Sequence, residues 1–139
     1  MIYYESSSFF FDSMNYQTSK YLMLIRPRNF SSNEETLESN EFQNDFTEST
    51  NLSQIREHVD IEFTNMVDRL SEHKIDHIVF DDIEDLGSPD AIFPNNWVTF
   101  HDDGDVVLYP MMSSKRRNER RIDIIEKLSL QGFSVTKTI

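Results

Sequence analysis

The segment Pro89-Asp90-Ala91-Ile92-Phe93-Pro94-Asn95-Asn96-Trp97, followed by a short hairpin and the basic run Lys115-Arg116-Arg117, gathers a carboxylate, two adjacent amides and an arginine. Together Asp90, Asn95, Asn96 and Arg116 could hold a small molecule with a flat, nitrogen-rich head and an acidic tail. A carboxylate accepts two parallel hydrogen bonds from a guanidinium, an amide both donates and accepts, and a guanidinium fork matches a carboxylate. The structural alternatives are plain ones. Asp90 could simply open the turn after Pro89, and Asn95-Asn96 could be a turn before a strand. Arg117, Arg120 and Arg121 read as a solvated helix face that pairs with the many acids.

Other reactive types are scarce. The chain has no cysteine, so it can build neither a disulfide nor a thiolate zinc site, and it offers no thiol nucleophile. His73 and His77 are four apart but straddle the end of a helix and the start of a strand, so they do not share a face as metal ligands would. No metal and no cofactor is proposed. His101-Asp102-Asp103 has a His-x-Asp spacing, but it falls in a hairpin turn and reads as turn chemistry.

The elements that must position these groups alternate. Tyr21 to Arg26 is an apolar run ended by Pro27, which reads as a buried strand. Residues from Asn29 to about Ser53 read as polar, acidic loop with a helical turn. Ile55, Val59, Phe63, Met66, Val67 and Leu70 recur at helical steps, predicting a helix over about 54–73 with Ser53 as cap. Ile75 to Phe80 is β-branched and aromatic and reads as a strand. Trp97 to Phe100 and Val106 to Tyr109 flank the turn His101-Asp102-Asp103-Gly104 as a hairpin. Arg116 to Leu130 reads as a second helix, closed by Gly132, and Phe133 to Thr136 as a last strand. The expected class is α/β, with helices covering a sheet.

Size and charge bound the partners. At 139 residues there is room for one domain, and a hydrophobic fraction of 37% with eleven Phe suits a globular one. Residues 1–18 lack any helical or strand period and read as a flexible N-terminal extension, leaving 19–139 as the domain. A formal charge of -12 argues against nucleic acid and attracts a cationic small molecule. The longest apolar runs fall far below the roughly twenty residues of a membrane span. With no basic start and apolar h-region, a cytoplasmic location is the default.

Several blocks carry a family resemblance: Ser19 to Phe30, Asn33-Glu34-Glu35-Thr36, Asn40, Phe42-Gln43, Pro89 to Trp97 with His101, and Tyr109-Pro110-Met111-Met112 through Arg116-Arg117-Asn118-Glu119-Arg120-Arg121. They resemble the N-terminal half of citrulline-utilization hydrolases, which belong with arginine deiminases, dimethylarginine dimethylaminohydrolases and amidinotransferases. The resemblance implies a five-fold α/β propeller, the pentein fold, of which this chain would hold about two ββαβ modules. It also implies covalent catalysis by a cysteine thiolate with a histidine as proton shuttle, both expected beyond these residues. By the same resemblance Asp90 binds the substrate's guanidinium and Arg116 its carboxylate. Asn95 and Asn96 replace charged residues of the deiminases, which favours a ureido head over a guanidinium.

The resulting expectation is the N-terminal, substrate-binding portion of a hydrolase of arginine- or citrulline-like amino acids, with no catalytic residue of its own. Its expected partners are the amino-acid substrate and a C-terminal half or a second copy. The alternative is a catalytically silent, stand-alone module that binds or senses a small ligand.

Overall fold

The computed structural model describes residues 19–31, 51–83 and 87–139. The extension at 1–18 and most of the acidic segment up to Ser53, with the blocks at Asn33 to Thr36 and Asn40 to Gln43, lie outside the described residues.

Strand β1 (Tyr21–Arg26) runs parallel to β2 (Asp76–Asp81), with Ile25 opposite Phe80, and α1 (Leu52–Glu72) connects them. This is a βαβ crossover, the connection two parallel strands require. The second sheet has the order β3-β4-β5. Strands β3 (Val98–Phe100) and β4 (Asp105–Leu108) form the antiparallel hairpin, α2 (Ile122–Leu130) follows, and β5 (Lys137–Thr138) lies parallel to β4. The chain is therefore a small mixed α/β assembly of one βαβ and one ββαβ unit, and the two sheets do not close into a barrel among the described residues.

One core joins the two units. Ile25 and Ala91 meet Trp97, Val98 and Val106 of the hairpin region and Ile124, Ile125 and Leu128 of α2, with Ile78 and Phe80 of β2 packed against them. Trp97 and Ile124 are fully buried.

Four expectations about the elements change. Helix α1 begins two residues early because Asn51 caps it: its side-chain oxygen accepts from the Ser53 N–H at 3.1 Å and from the Ser53 hydroxyl at 2.6 Å. Its apolar face is also less buried than its periodicity suggests. Phe63 is the one buried residue of the helix, and Met66 stays 38% exposed. Two strands about 5 Å apart are too narrow a floor for a helix about 10 Å across. The second helix starts at Ile122, not Arg116. Lys115–Glu119 is a separate 3-10 turn, and Arg120 and Arg121 are extended with ψ of 87° and 86°. Finally, β5 forms beyond Thr136 because Phe133 and Val135 pack on the core as loop, where their burial outweighs ladder pairing.

Candidate functional site

The loop from Gly87 to Trp97 is pinned at both ends, which is what allows it to present side chains. At its start the buried Ser88 hydroxyl donates to Asp82 Oδ1 at 2.9 Å. Asp82 also accepts from the Ile83 N–H at 2.8 Å and, through Oδ2, from the Asn29 amide at 2.9 Å. Asn29 donates again to the Ile83 carbonyl at 2.7 Å, so this buried polar cluster is satisfied at each carboxylate oxygen. Midway, Ala91 is buried, and the Phe93 N–H closes a turn on the Asp90 carbonyl at 3.0 Å. Pro94 then opens a 3-10 turn, Pro94–Asn96, and Trp97 drops into the core. Asp90, Asn95 and Asn96 are left on the outside of the bend.

The opposing group comes from the turn Lys115–Glu119. Ser113 is buried, and its hydroxyl takes the Arg116 N–H at 3.4 Å. The Arg116 side chain, 13% exposed, is gripped on one edge by Glu119 Oε2, which accepts from Nε at 3.0 Å and from Nη2 at 2.9 Å. Asp90 Oδ2 lies 3.4 Å from Nε, and the Asp90 carbonyl lies 3.4 Å from Nη2. With its amide oxygen turned to the guanidinium, Asn96 accepts from Nη1 at 3.0 Å and from Nη2 at 3.1 Å. An open recess of about 250 Å³ lies over this arginine, lined by Asn96, Pro110, Met111, Met112, Ser113 and Arg116.

The structure thus brings together three of the four residues named from sequence: Asp90, Asn96 and Arg116. Asn95 is exposed, with its amide 3.3 Å from that of Asn96, and it does not reach Arg116. His101 sits exposed at the hairpin turn, its Nε2 3.1 Å from the Thr99 hydroxyl. His73 ends α1 while His77 lies in β2, so the two sit on different elements. Among the described residues no group of three or more His, Asp or Glu is placed to hold a metal. No helix there is long and apolar enough to cross a membrane.

Two residues escaped the sequence reading. Glu119 is 2% exposed and bridges the two segments: Oε1 accepts the Asp90 backbone N–H at 3.1 Å while Oε2 holds Arg116. Burial pushes its carboxyl above the usual range. The Arg116 hydrogen bond and charge and the Asp90 N–H oppose that shift, and the Asp90 charge adds to it. The available signal was a single acid inside a run of five bases, three residues after Arg116. Arg121 is the other. It is buried rather than part of a solvated face, and it clamps Asp123 through Nε at 2.6 Å and Nη2 at 2.7 Å while donating to the Asp81 carbonyl at 3.2 Å. That bidentate bond holds Asp123 well below the ordinary carboxylate range, Lys127 adding to it.

The family model of eukaryotic N,N-dimethylarginine dimethylhydrolase matches residues 26–139. The chain belongs to this family. The dimethylarginine dimethylhydrolases fall within the group of guanidino-modifying enzymes that the sequence resembles, and the match runs from the last residue of β1 through the Asp90 loop and the Arg116 turn. No curated protein and no solved structure matches the chain. For a dimethylarginine dimethylhydrolase family member, the feature that bears on chemistry is the arginine at the recess, held between two acids.

Proposed function

We propose that this chain is the substrate-binding portion of a hydrolase acting on the guanidino or ureido group of an arginine- or citrulline-like amino acid, built on part of a pentein propeller. Its sequence contains no cysteine, so in this reading the attacking thiolate belongs to another part of the enzyme. One observation carries the assignment: Asp90 lies 3.4 Å from Arg116, and Arg116 lines the recess.

That separation divides the roles differently from the resemblance. An arginine's methylene chain holds its carboxylate and guanidinium farther apart than this, so adjacent Asp90 and Arg116 serve one end of the ligand. The end that fits is the α-amino-acid zwitterion, its carboxylate on Arg116 and its ammonium on Asp90. Pro110, Met111 and Met112 offer apolar walls for the methylene stem. Two acidic side chains, Asp90 and Glu119, face the one guanidinium, a balance that suits a ligand bringing an ammonium as well as a carboxylate.

Titration calorimetry with arginine, N,N-dimethylarginine, citrulline and agmatine tests the reading. The amino acids should bind saturably. Agmatine, lacking the carboxylate, should bind at least tenfold more weakly, and the chain by itself should turn none of them over. Equal binding of agmatine and arginine, or hydrolysis by this chain alone, would refute it.

A further inference from the structure

We infer that Glu119 is a positioning residue: its buried carboxylate ties the Asp90 loop to the Arg116 turn and decides which edge of the Arg116 guanidinium faces the recess. The inference rests on the proposed amino-acid reading for its ligand, but its geometry stands alone. An arginine guanidinium has two edges that meet a carboxylate with a pair of N–H groups, Nε–Nη2 and Nη1–Nη2. Glu119 Oε2 takes both donors of the Nε–Nη2 edge, at 3.0 and 2.9 Å. The Nη1–Nη2 edge is turned to the exposed amide of Asn96, at 3.0 and 3.1 Å, beside the open recess. An incoming carboxylate therefore meets the arginine on that edge, exchanging with an amide that is free to turn to water.

Glu119 is poorly explained as a stabilising group. A carboxylate with a side chain 1% exposed has lost its hydration, and its shift toward protonation shows that its partners do not fully restore what burial removed. What it does uniquely is accept from two segments at once, the Asp90 N–H on one oxygen and Arg116 on the other. Without it the arginine keeps its charge but loses both bonds on its Nε–Nη2 edge, and a fork held less firmly binds a carboxylate less well.

Glu119→Gln separates positioning from folding, since the amide keeps the volume but turns an N–H toward one of the two donors. Three readouts decide the matter: the Arg116 Nε–H resonance in nitrogen NMR, assigned by its loss in Arg116→Lys; thermal melting; and the arginine-to-agmatine affinity ratio. In the unmodified chain the Nε–H should be slow to exchange with water. In Glu119→Gln it should exchange fast, the melting midpoint should hold or rise, and the affinity ratio should collapse by tenfold or more. A fast-exchanging Nε–H in the unmodified chain, or an unchanged affinity ratio in Glu119→Gln, would overturn the inference. If the unmodified chain holds the Nε–H but binds no arginine, the ligand reading fails while the positioning survives. If Glu119→Gln does not fold, Glu119 is structural and the inference falls.

Discussion

The backbone N–H of Asp90 donates to Glu119 Oε1 at 3.1 Å, so two acids that would repel side chain to side chain are joined through a main-chain donor with Arg116 between them. The arrangement fixes a loop to a turn 29 residues away, and it leaves Glu119 with a raised pKa.

A pH signature follows from that shift. The folded chain holds the Glu119 proton more tightly than the unfolded chain, whose value is about 4.5, so lowering the pH through the folded value toward 4.5 favours the native state. Asp123 acts in the opposite sense. Arg121 holds its pKa far below the ordinary 3.8, so its stabilisation is present above 3.8 and is lost as the pH falls below it. Urea unfolding at a series of pH values should show Glu119→Gln flattening the limb above 4.5 and Asp123→Asn flattening the limb below 3.8, each relative to the unmodified chain. A Glu119→Gln profile parallel to the unmodified one above 4.5 would count against the assignment.

Much of this was legible in the residue order, and what was not has a physical reason. The run Tyr21 to Arg26 stopped by Pro27, the helical spacing through Phe63, and the hairpin around Asp103-Gly104 are local signals, and the elements appear within a residue or two. The α/β class and the grouping of Asp90, Asn96 and Arg116 were legible as well, the grouping from the company those residues keep in a family. The start of α2 was not. Arg116 to Arg121 contains nothing that disfavours a helix, and the break comes from Arg121 reaching the Asp81 carbonyl, 40 positions away. The role of Glu119 was hidden for the same reason: one of its two partners is a backbone N–H in a distant loop, and a backbone donor leaves no trace in residue type. Phe133 and Val135 look like strand but serve the core from a loop, because burial, not alternation, was their signal.

Trp97 is the chain's single tryptophan and is wholly buried, yet its indole N–H meets no acceptor among the described residues. An unsatisfied buried donor costs about 1–3 kcal/mol, so Trp97→Phe loses packing but removes that penalty and should fall within about 2 kcal/mol of the unmodified chain. Trp97→Ala has no such offset and should cost about 3–5 kcal/mol. Denaturant titrations followed by circular dichroism check both. Near-equal costs for the two variants would mean that the N–H is satisfied.

Two glycines with left-handed backbones make a controlled pair. Gly87 has φ of +60° with open space around its missing Cβ, whereas a Cβ on Gly104 (φ +86°) would stand 2.5 Å from the Thr136 hydroxyl and 2.8 Å from that of Ser134. Gly87→Ala should cost about 1–2 kcal/mol, the left-handed strain alone. Gly104→Ala adds the displacement of Thr136, whose hydroxyl donates to the Asp103 carbonyl at 3.1 Å and whose N–H donates to the Gly104 carbonyl at 2.8 Å, so about 1 kcal/mol more is expected. Thermal melts of the two variants compare them directly, and equal midpoints would show that β5 docks without this contact.

Helix α1 buries one of its 21 residues, whereas α2 buries three of nine, and this predicts that α1 opens by itself. Its buried residue is Phe63, over whose ring the Arg26 guanidinium lies at 4.9 Å from the centroid. Arg26 Nη1 also donates to Asp60 Oδ1 and to the Thr64 hydroxyl, each at 2.9 Å, so one arginine at the end of β1 holds positions 60, 63 and 64 on one face of the helix. Asp60 is half exposed, so the ion pair itself adds at most about 1 kcal/mol. The ring burial is the larger contribution, and Phe63→Ala should cost about 3–4 kcal/mol locally. Because Phe63 stands apart from the cluster around Trp97 and Ile124, that loss should stay within the helix. Hydrogen exchange of the Phe63→Ala variant should therefore show protection lost across Leu52–Glu72 and retained across Val98–Phe100 and Ile122–Leu130. A loss shared by all three segments would mean that helix and core unfold as one unit.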